Sequence, residues 1–175
     1  MKRALTKILL LLLFPCGPLS LATDQQPITI VASTEGQFAK GKGHSWQLVV
    51  DEKGAARLKI DTFPDPIHRE FRVPPKELEK FVRAVEDQGW FDLKEEYGEY
   101  VTHGSTDTLT VTRGEQTKAV KIHFLMNWVR TAPEKLKEPA KAVRVFLVIR
   151  SWFSDPEAVD LREYDEIVLR AASNG

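Results

Sequence analysis

The sequence predicts an α+β fold in which helices cover one face of a mostly antiparallel sheet. Two β-hairpins and an N-terminal strand supply the sheet, because apolar and polar residues alternate in each of these segments. Two amphipathic stretches predict the helices, and a further helical segment is expected as a C-terminal extension. Hairpin connections favour antiparallel pairing, whereas regularly alternating strands and helices would favour a parallel sheet.

The first 22 residues have the features of a secretory signal peptide. A basic start, MKRALTK, precedes the apolar run ILLLLLF, and the small residues SLA stand just before Thr23. The apolar run is much shorter than the roughly 20 residues that a membrane-spanning helix needs. We therefore expect residues 1–22 to be cleaved, which places the protein in the periplasm or outside the cell with no integral membrane segment. Lipid modification of Cys16 is the alternative, and Pro15 disfavours it because lipoprotein signals carry a small residue there.

The composition after residue 22 excludes several classes of function. Cys16 is the single cysteine, so cleavage leaves none and excludes thiol catalysis and thiolate metal sites. Loss of Lys2, Arg3 and Lys7 leaves 22 basic and 25 acidic side chains, a formal charge of −3. Because the two signs are interspersed, the chain lacks the basic surface typical of nucleic-acid binding.

Residues 27–153 are expected to form a single α+β domain that begins with a strand at 27–33 and a hairpin. Apolar residues alternate with polar ones on both sides of a turn at 51–54: Trp46, Leu48, Val50, Ala56, Leu58 and Ile60. The prolines of TFPDPIHREFRVPP keep the next segment extended.

The first helix is predicted after these prolines, since apolar residues recur there at helical spacing: Leu78, Phe81, Val82 and Val85. Pro75 suits the first turn of this helix and Gly89 suits its C-terminal cap. Trp90 and Phe91 are expected to pack where the chain leaves the helix.

The second half of the domain predicts a hairpin and a second helix. The hairpin turns at RGEQ, between alternating residues on its two strands: Leu109, Val111, Val120, Ile122 and Phe124. The helix is predicted over 134–153 with a break or restart at Pro139, although its run VRVFLVI is also compatible with a strand. The C-terminal helical extension, 154–175, is expected to be helical from Asp155 to about Arg170.

None of the polar clusters in the sequence has the context that catalysis or metal binding requires. His103, Ser105 and Asp107 lie on alternate positions of THGSTDT, but Ser105 stands between the base and the acid and no G-x-S-x-G turn is present. We interpret this stretch as the mouth of the second hairpin. The segment 36–43 resembles a phosphate-binding loop but has Gly43 where the motif needs Ser or Thr, so we interpret it as a basic loop.

The remaining charged and histidine side chains are interpreted as solvated surface residues. The four histidines, His44, His68, His103 and His123, are scattered without the short spacing of metal ligands. Three nearby carboxylates are interpreted in the same way: Glu95, Glu96 and Glu99. We therefore predict no catalytic residue, no metal site and no cofactor.

One surface is predicted to bind a partner. Hairpin geometry brings the residues before the first strand of the second hairpin close to those after its second strand. Tyrosine, tryptophan and arginine, which are enriched in binding hot spots, occur in both segments. The candidate binding residues are Tyr97, Tyr100, His103, Asn127, Trp128 and Arg130.

The order of these features resembles a group of uncharacterised bacterial exported domains. The resemblance extends from about Ile28 to Ile149 and rests on the segments WQLVVDEKGAARLKI, RVPPKELEKFVRAVEDQGWFDLKEEYG, DTLTV, KAVKIHF and APEKL. It implies a fold and an exported location, and it implies no activity.

The sequence thus predicts an exported, soluble domain without its own catalysis, acting as an interaction module of the cell envelope. Its expected partner is another envelope protein, a peptide or a glycan, and no nucleic acid. Two alternatives are a small secreted hydrolase and an inhibitor or chaperone-like domain that binds another envelope protein.

Overall fold

The computed structural model describes residues 26–36, 45–61, 64–101, 104–153 and 161–173. Seven strands are present in this part of the chain: β1 (Ile28–Gly36), β2 (Ser45–Val50), β3 (Ala55–Asp61), β4 (Ile67–Arg72), β5 (Glu96–Tyr97), β6 (Ser105–Arg113) and β7 (Gln116–Ile122). The helices are α1 (Pro75–Asp87), α2 (Met126–Thr131), α3 (Pro139–Arg150) and α4 (Leu161–Ser173). Two short 3₁₀ turns occupy Trp90–Asp92 and Pro133–Leu136.

The strands form one sheet in the order β4-β3-β2-β1-β6-β7-β5. Every neighbouring pair is antiparallel except β5 and β7, which are parallel. The central strand β1 pairs with β6 along all nine of its residues, from Ile28 opposite Arg113 to Gly36 opposite Ser105. The α+β class and the mostly antiparallel sheet are therefore confirmed.

One face of this sheet is buried under the helices. Successive side chains of a strand point to opposite faces, so the alternating apolar residues of β1, β2, β3 and β6 all enter the same layer. Phe81 of α1 and Phe146 of α3 belong to this core. The ring of Trp46 contacts the edges of Phe146 and Phe153, with centroid distances of 6.0 and 5.1 Å. None of the helices in the described part of the chain combines the length and apolar character that crossing a membrane requires.

Most of the predicted elements are confirmed. The N-terminal strand, both hairpins and the first helix are present, and the second hairpin turns at Gly114 and Glu115 within RGEQ. Gly89 follows α1 in the left-handed conformation, with a φ of 61°. The helix restart at Pro139 is also confirmed, and VRVFLVI belongs to α3 rather than to a strand.

Three elements were not predicted, and four predicted bounds need correction. Strand β1 continues through Gly36 beyond its predicted end at residue 33, and β7 ends at Ile122, before Phe124. The sequence pattern gave no sign of β5 or α2, and it indicated only an extended chain where β4 pairs with β3. Residues 133–136 form a 3₁₀ turn instead of the start of the second helix, and α3 ends at Arg150 rather than at residue 153.

The C-terminal helix packs on the domain. Ile167 and Ala171 of α4 belong to the same buried cluster as the strand residues. The predicted start at Asp155 lies outside the described residues, as do residues 1–25 with the predicted signal peptide.

We expect Ile30→Ala and Val31→Ala to have very different effects on the free energy of unfolding. Ile30 is 0% exposed, so its truncation leaves a cavity and costs about 3 kcal/mol. Val31 points to the opposite face and is 39% exposed, so its truncation costs about 1 kcal/mol or less. Urea denaturation measures both values, and equal losses would contradict this assignment of the two faces.

Candidate functional site

Two aromatic residues that were predicted to be neighbours, Tyr97 and Trp128, line one groove at the β5 edge of the sheet. The groove has a volume of about 550 Å³. Strand β5 and the residue Lys94 before it contribute one wall, and the segment 134–141 contributes the other. Most of the remaining lining is charged: Lys94, Glu96, Glu134, Lys135, Lys137, Glu138 and Lys141.

Tyr97 is a buried anchor of the groove rather than an exposed contact residue. Parallel pairing with β7 fixes its backbone, because the His123 N–H donates to the Tyr97 carbonyl over 2.8 Å. Its side chain is 5% exposed, and its hydroxyl accepts a hydrogen bond of 2.9 Å from the Lys94 N–H and donates to Glu138. Burial, supported by the Glu138 carboxylate, raises the pKa of Tyr97 to about 12.

Glu138 links Tyr97 to the opposite wall of the groove. Its carboxylate lies 3.1 Å from Lys94 Nζ and also accepts a hydrogen bond from the Tyr97 hydroxyl. Burial alone would raise the pKa of Glu138, but the hydrogen bonds from Lys94 and Tyr97 together lower it below its usual value. The carboxylate is thus ionised and engaged by groups of the protein itself.

Trp128 is held in place on its edge and on its face. Its Nε1 donates to Glu99 Oε1 over 2.7 Å, and Asn127 Nδ2 donates to Glu99 Oε2 over 3.0 Å. These two bonds, with that from Trp128 the stronger influence, lower the pKa of Glu99. Lys135 Nζ lies 5.5 Å from the centre of the indole, a cation–π distance. The half-buried indole therefore has a fixed orientation.

Gly98 allows the chain to place Glu99 next to Trp128. Its φ is 94°, in the region that favours glycine, and an added Cβ would lie 2.8 Å from the carbonyl oxygen of His123. The following residue, Glu99, then forms an antiparallel bridge with Phe124. The tight approach between this segment and the end of β7 thus depends on the absence of a side chain at residue 98.

Three of the other predicted binding residues are not part of the lining of the groove: Tyr100, Asn127 and Arg130. Asn127 and Arg130 are exposed on α2, and Tyr100 is 78% exposed beyond Glu99. The Tyr100 ring contacts His123 edge-on, with 6.2 Å between the ring centres. His103 lies outside the described residues. The structure therefore brings Tyr97, Asn127 and Trp128 together around Glu99 and Glu138, with Tyr100 as an exposed neighbour.

His123 is not the solvated histidine that its position on the strand predicted. Its side chain is only 10% exposed, because it lies between residues of β6 and β5. Nδ1 is 3.0 Å from Thr106 Oγ1, and Nε2 contacts the Glu96 carboxylate. Hydroxyl, imidazole and carboxylate are in the order of a hydrolase triad, but Thr106 lies within the regular strand β6 and not in a strained turn. These contacts of His123 with Thr106 and Glu96 hold β5 against the sheet.

The stretch around Ser105 is the mouth of a hairpin, as predicted. Ser105 is the first residue of β6, and Asp107 is buried where it faces Thr34 on β1, to which it is hydrogen-bonded. His68 lies on the edge strand β4, far along the sheet order from His123. Among the residues that the structure describes, no three His, Cys, Asp or Glu side chains are placed to share a metal ion.

Sequence reasoning missed the charged residues that complete the groove. Glu99 was interpreted as a solvated carboxylate, whereas it accepts two hydrogen bonds from α2. Glu138 and the lysines of PEKLKEPAK were not considered, and the density of charge directly after Trp128 was the available signal.

The fold and this groove define a class of protein: an α+β domain with an aromatic and charged groove at one edge of its sheet. Comparison with known proteins adds no narrower assignment, since no protein-family model matches the chain and no curated protein matches it significantly.

We expect Gly98→Ala to destabilise the protein more than Gly89→Ala does. Both glycines have a positive φ, which costs an alanine about 1–2 kcal/mol. At Gly98 the added methyl also meets the backbone of His123, for a total of about 2–4 kcal/mol, whereas at Gly89 it meets only Asp92 Oδ2 at 3.8 Å. Chemical denaturation gives the two losses. Nuclear magnetic resonance should show the Trp128 Nε1 proton shifted only in Gly98→Ala, and an unshifted signal would contradict the role of Gly98 in placing Glu99.

We expect Tyr97→Phe to reduce the loss of stability at alkaline pH. The pKa of Tyr97 is raised from 10.0 to about 12 in the folded state, so its contribution is complete below pH 10 and is lost as the pH rises towards 12. Phenylalanine does not titrate, although the lost hydrogen bonds cost about 1 kcal/mol at neutral pH. Urea denaturation across this range tests the difference, and identical pH slopes for both proteins would contradict the burial of the phenol.

Proposed function

We propose that the protein is an exported, non-catalytic interaction module that binds a partner of the cell envelope in the Tyr97–Trp128 groove. The observation that carries this proposal is the fixed indole of Trp128, which Glu99 holds at its edge and Lys135 covers at its face. A rigid aromatic side chain contributes contact area to a complex without losing conformational freedom. Tryptophan is also the residue type most characteristic of binding hot spots.

The size and surroundings of the groove support binding. Its volume of about 550 Å³ falls within the ~300–1,000 Å³ that is typical of ligand sites. The exposed side chain of Tyr100 contacts His123, which in turn contacts Glu96 of the groove, and tyrosine is a residue type favoured at interfaces. The buried hydroxyl of Tyr97 and the ionised Glu138 hold one wall in position before any partner arrives.

The assignment to the cell envelope rests on the sequence. The basic and apolar N-terminal segment is typical of an export signal, and the resemblance to exported bacterial domains agrees with it. The proposal therefore combines a location inferred from the N-terminus with a binding surface inferred from the folded domain.

We expect a photo-crosslinking residue at Glu134, and separately at Tyr100, to capture the same partner in cells that express the exported protein. Lys80 on α1 is the control position, because it is exposed and lies outside the groove. In the background of Trp128→Ala the yield should fall about tenfold or more, since truncation of a hot-spot residue costs at least about 2 kcal/mol. Mass spectrometry identifies the adduct.

Two results would contradict the proposal. The first is an adduct of equal yield from Lys80, which would indicate non-specific contact. The second is an adduct that is unchanged by Trp128→Ala, which would place the interaction elsewhere on the surface. Thermal unfolding of Trp128→Ala shows whether the variant retains its fold. Trp128→Phe, which keeps an aromatic ring but loses the indole N–H that bonds Glu99, is the milder replacement.

A further inference from the structure

We infer that the ligand of the groove is an extended, acidic peptide segment of the partner, an inference that rests on the proposed function. It names the chemistry of the partner from two independent observations. The first is the excess of unpaired lysines on one wall of the groove, and the second is the direction of backbone groups at the edge of the sheet.

The carboxylates of the groove are largely engaged by the protein itself. Glu138 is bonded to Lys94 and Tyr97, and Glu96 is bonded to His123. Glu96 nevertheless remains 64% exposed on the β5 side of the groove. On the wall formed by 134–141, Glu134 is the one carboxylate for which the described residues provide no ion pair.

Most lysines of the groove, by contrast, form no ion pair in the described part of the chain. Lys94 is paired with Glu138, but three exposed lysines of the other wall lie within 4.0 Å of no carboxylate in the described part of the chain: Lys135, Lys137 and Lys141. Lys135 covers the face of Trp128 and so places a positive charge beside the aromatic surface. On this wall the three ammonium groups outnumber the unpaired carboxylate of Glu134, so the wall favours a ligand that carries negative charge.

The backbone of β5 indicates that this ligand is a peptide. The carbonyl groups of Glu95 and Tyr97 accept hydrogen bonds from β7, from the N–H groups of Lys121 and His123, both over 2.8 Å. Backbone groups alternate in direction along a strand, so those of Glu96 point away from β7, towards the open edge. An extended peptide can pair with such an edge, whereas a glycan has no matching row of amide groups.

The short length of β5 limits how much its backbone can contribute to the affinity for a peptide. With two residues in this strand, a peptide gains few backbone hydrogen bonds. The edge therefore sets the direction of the peptide, while the lysines and Trp128 provide most of the binding energy. Affinity should accordingly fall steeply as the salt concentration rises.

The test uses a fluorescein-labelled oligo-glutamate peptide, with oligo-glutamine and oligo-lysine peptides of the same length, and measures binding by fluorescence anisotropy. We expect oligo-glutamate alone to bind. The triple variant Lys135→Gln, Lys137→Gln, Lys141→Gln should weaken it about tenfold or more. The matched variant Lys53→Gln, Lys76→Gln, Lys80→Gln removes the same charge away from the groove, and it should change the affinity less than about twofold.

Three outcomes would overturn the inference. Equal binding of oligo-glutamine would show that charge is not recognised, and equal loss in the two triple variants would show that only net charge matters. Binding of the acidic polysaccharide polygalacturonate without binding of oligo-glutamate would assign the groove to an anionic glycan.

The crosslinking experiment separates this inference from the proposed function. If the groove triple variant retains the partner captured at Glu134 while Trp128→Ala loses it, the groove is a binding site and the acidic peptide is the wrong ligand. If oligo-glutamate binding depends on the three lysines but no partner is captured at Glu134 or Tyr100, the ligand class stands and the assignment to an envelope partner fails.

Discussion

The alternation of side chains along β1 is the constraint on which the rest of the structure depends. β1 pairs with β6 along its whole length and with β2 along five residues, so its register fixes both halves of the sheet. Its buried positions, Ile28, Ile30 and Ala32, face the helices. Because the period is two, a slip of one residue would move these side chains to the open face and bring Thr29, Val31 and Ser33 into the core. The buried bond between Thr34 and Asp107 favours the same register, since a slip would break this bond.

The groove is a consequence of where this sheet ends. With β1 at the centre and β7 next to the edge, the chain that leaves α1 has to pass beside β7 before it enters β6. Gly98 allows a close approach there, and the row from Thr106 through His123 to Glu96 ties the two-residue strand β5 to its neighbours. The edge is therefore short, and several side chains hold it in place. A short edge of this kind limits pairing with other chains while leaving a few backbone groups accessible.

The sequence predicted the elements whose signal is local. Both hairpins and α1 have a clear apolar period bounded by glycine or proline, and Gly89 and Pro139 were correctly interpreted as helix boundaries. Strand β5 has two residues and pairs with a strand about 25 residues further along the chain, so no period within it could reveal the partner. Helix α2 has six residues, too few for an apolar period to be recognised. Tyr97 and Trp128 were predicted to be neighbours from hairpin geometry, whereas Glu138 reaches Tyr97 only through tertiary packing.

The charge that the groove offers to a ligand also arises only on folding. The whole chain has a formal net charge of zero, and the segment PEKLKEPAK contains both acidic and basic residues. The composition therefore indicates no preference for an acidic ligand. Folding pairs Glu138 with Lys94 and Tyr97, whereas Glu96 contacts His123 and stays 64% exposed. In the described part of the chain, the lysines of the facing wall form no ion pair and remain exposed. The local excess of positive charge on this wall therefore results from the pairing of Glu138 with Lys94 and the Tyr97 hydroxyl. This pairing depends on where folding places strand β5, and the number of charges in the chain does not determine it.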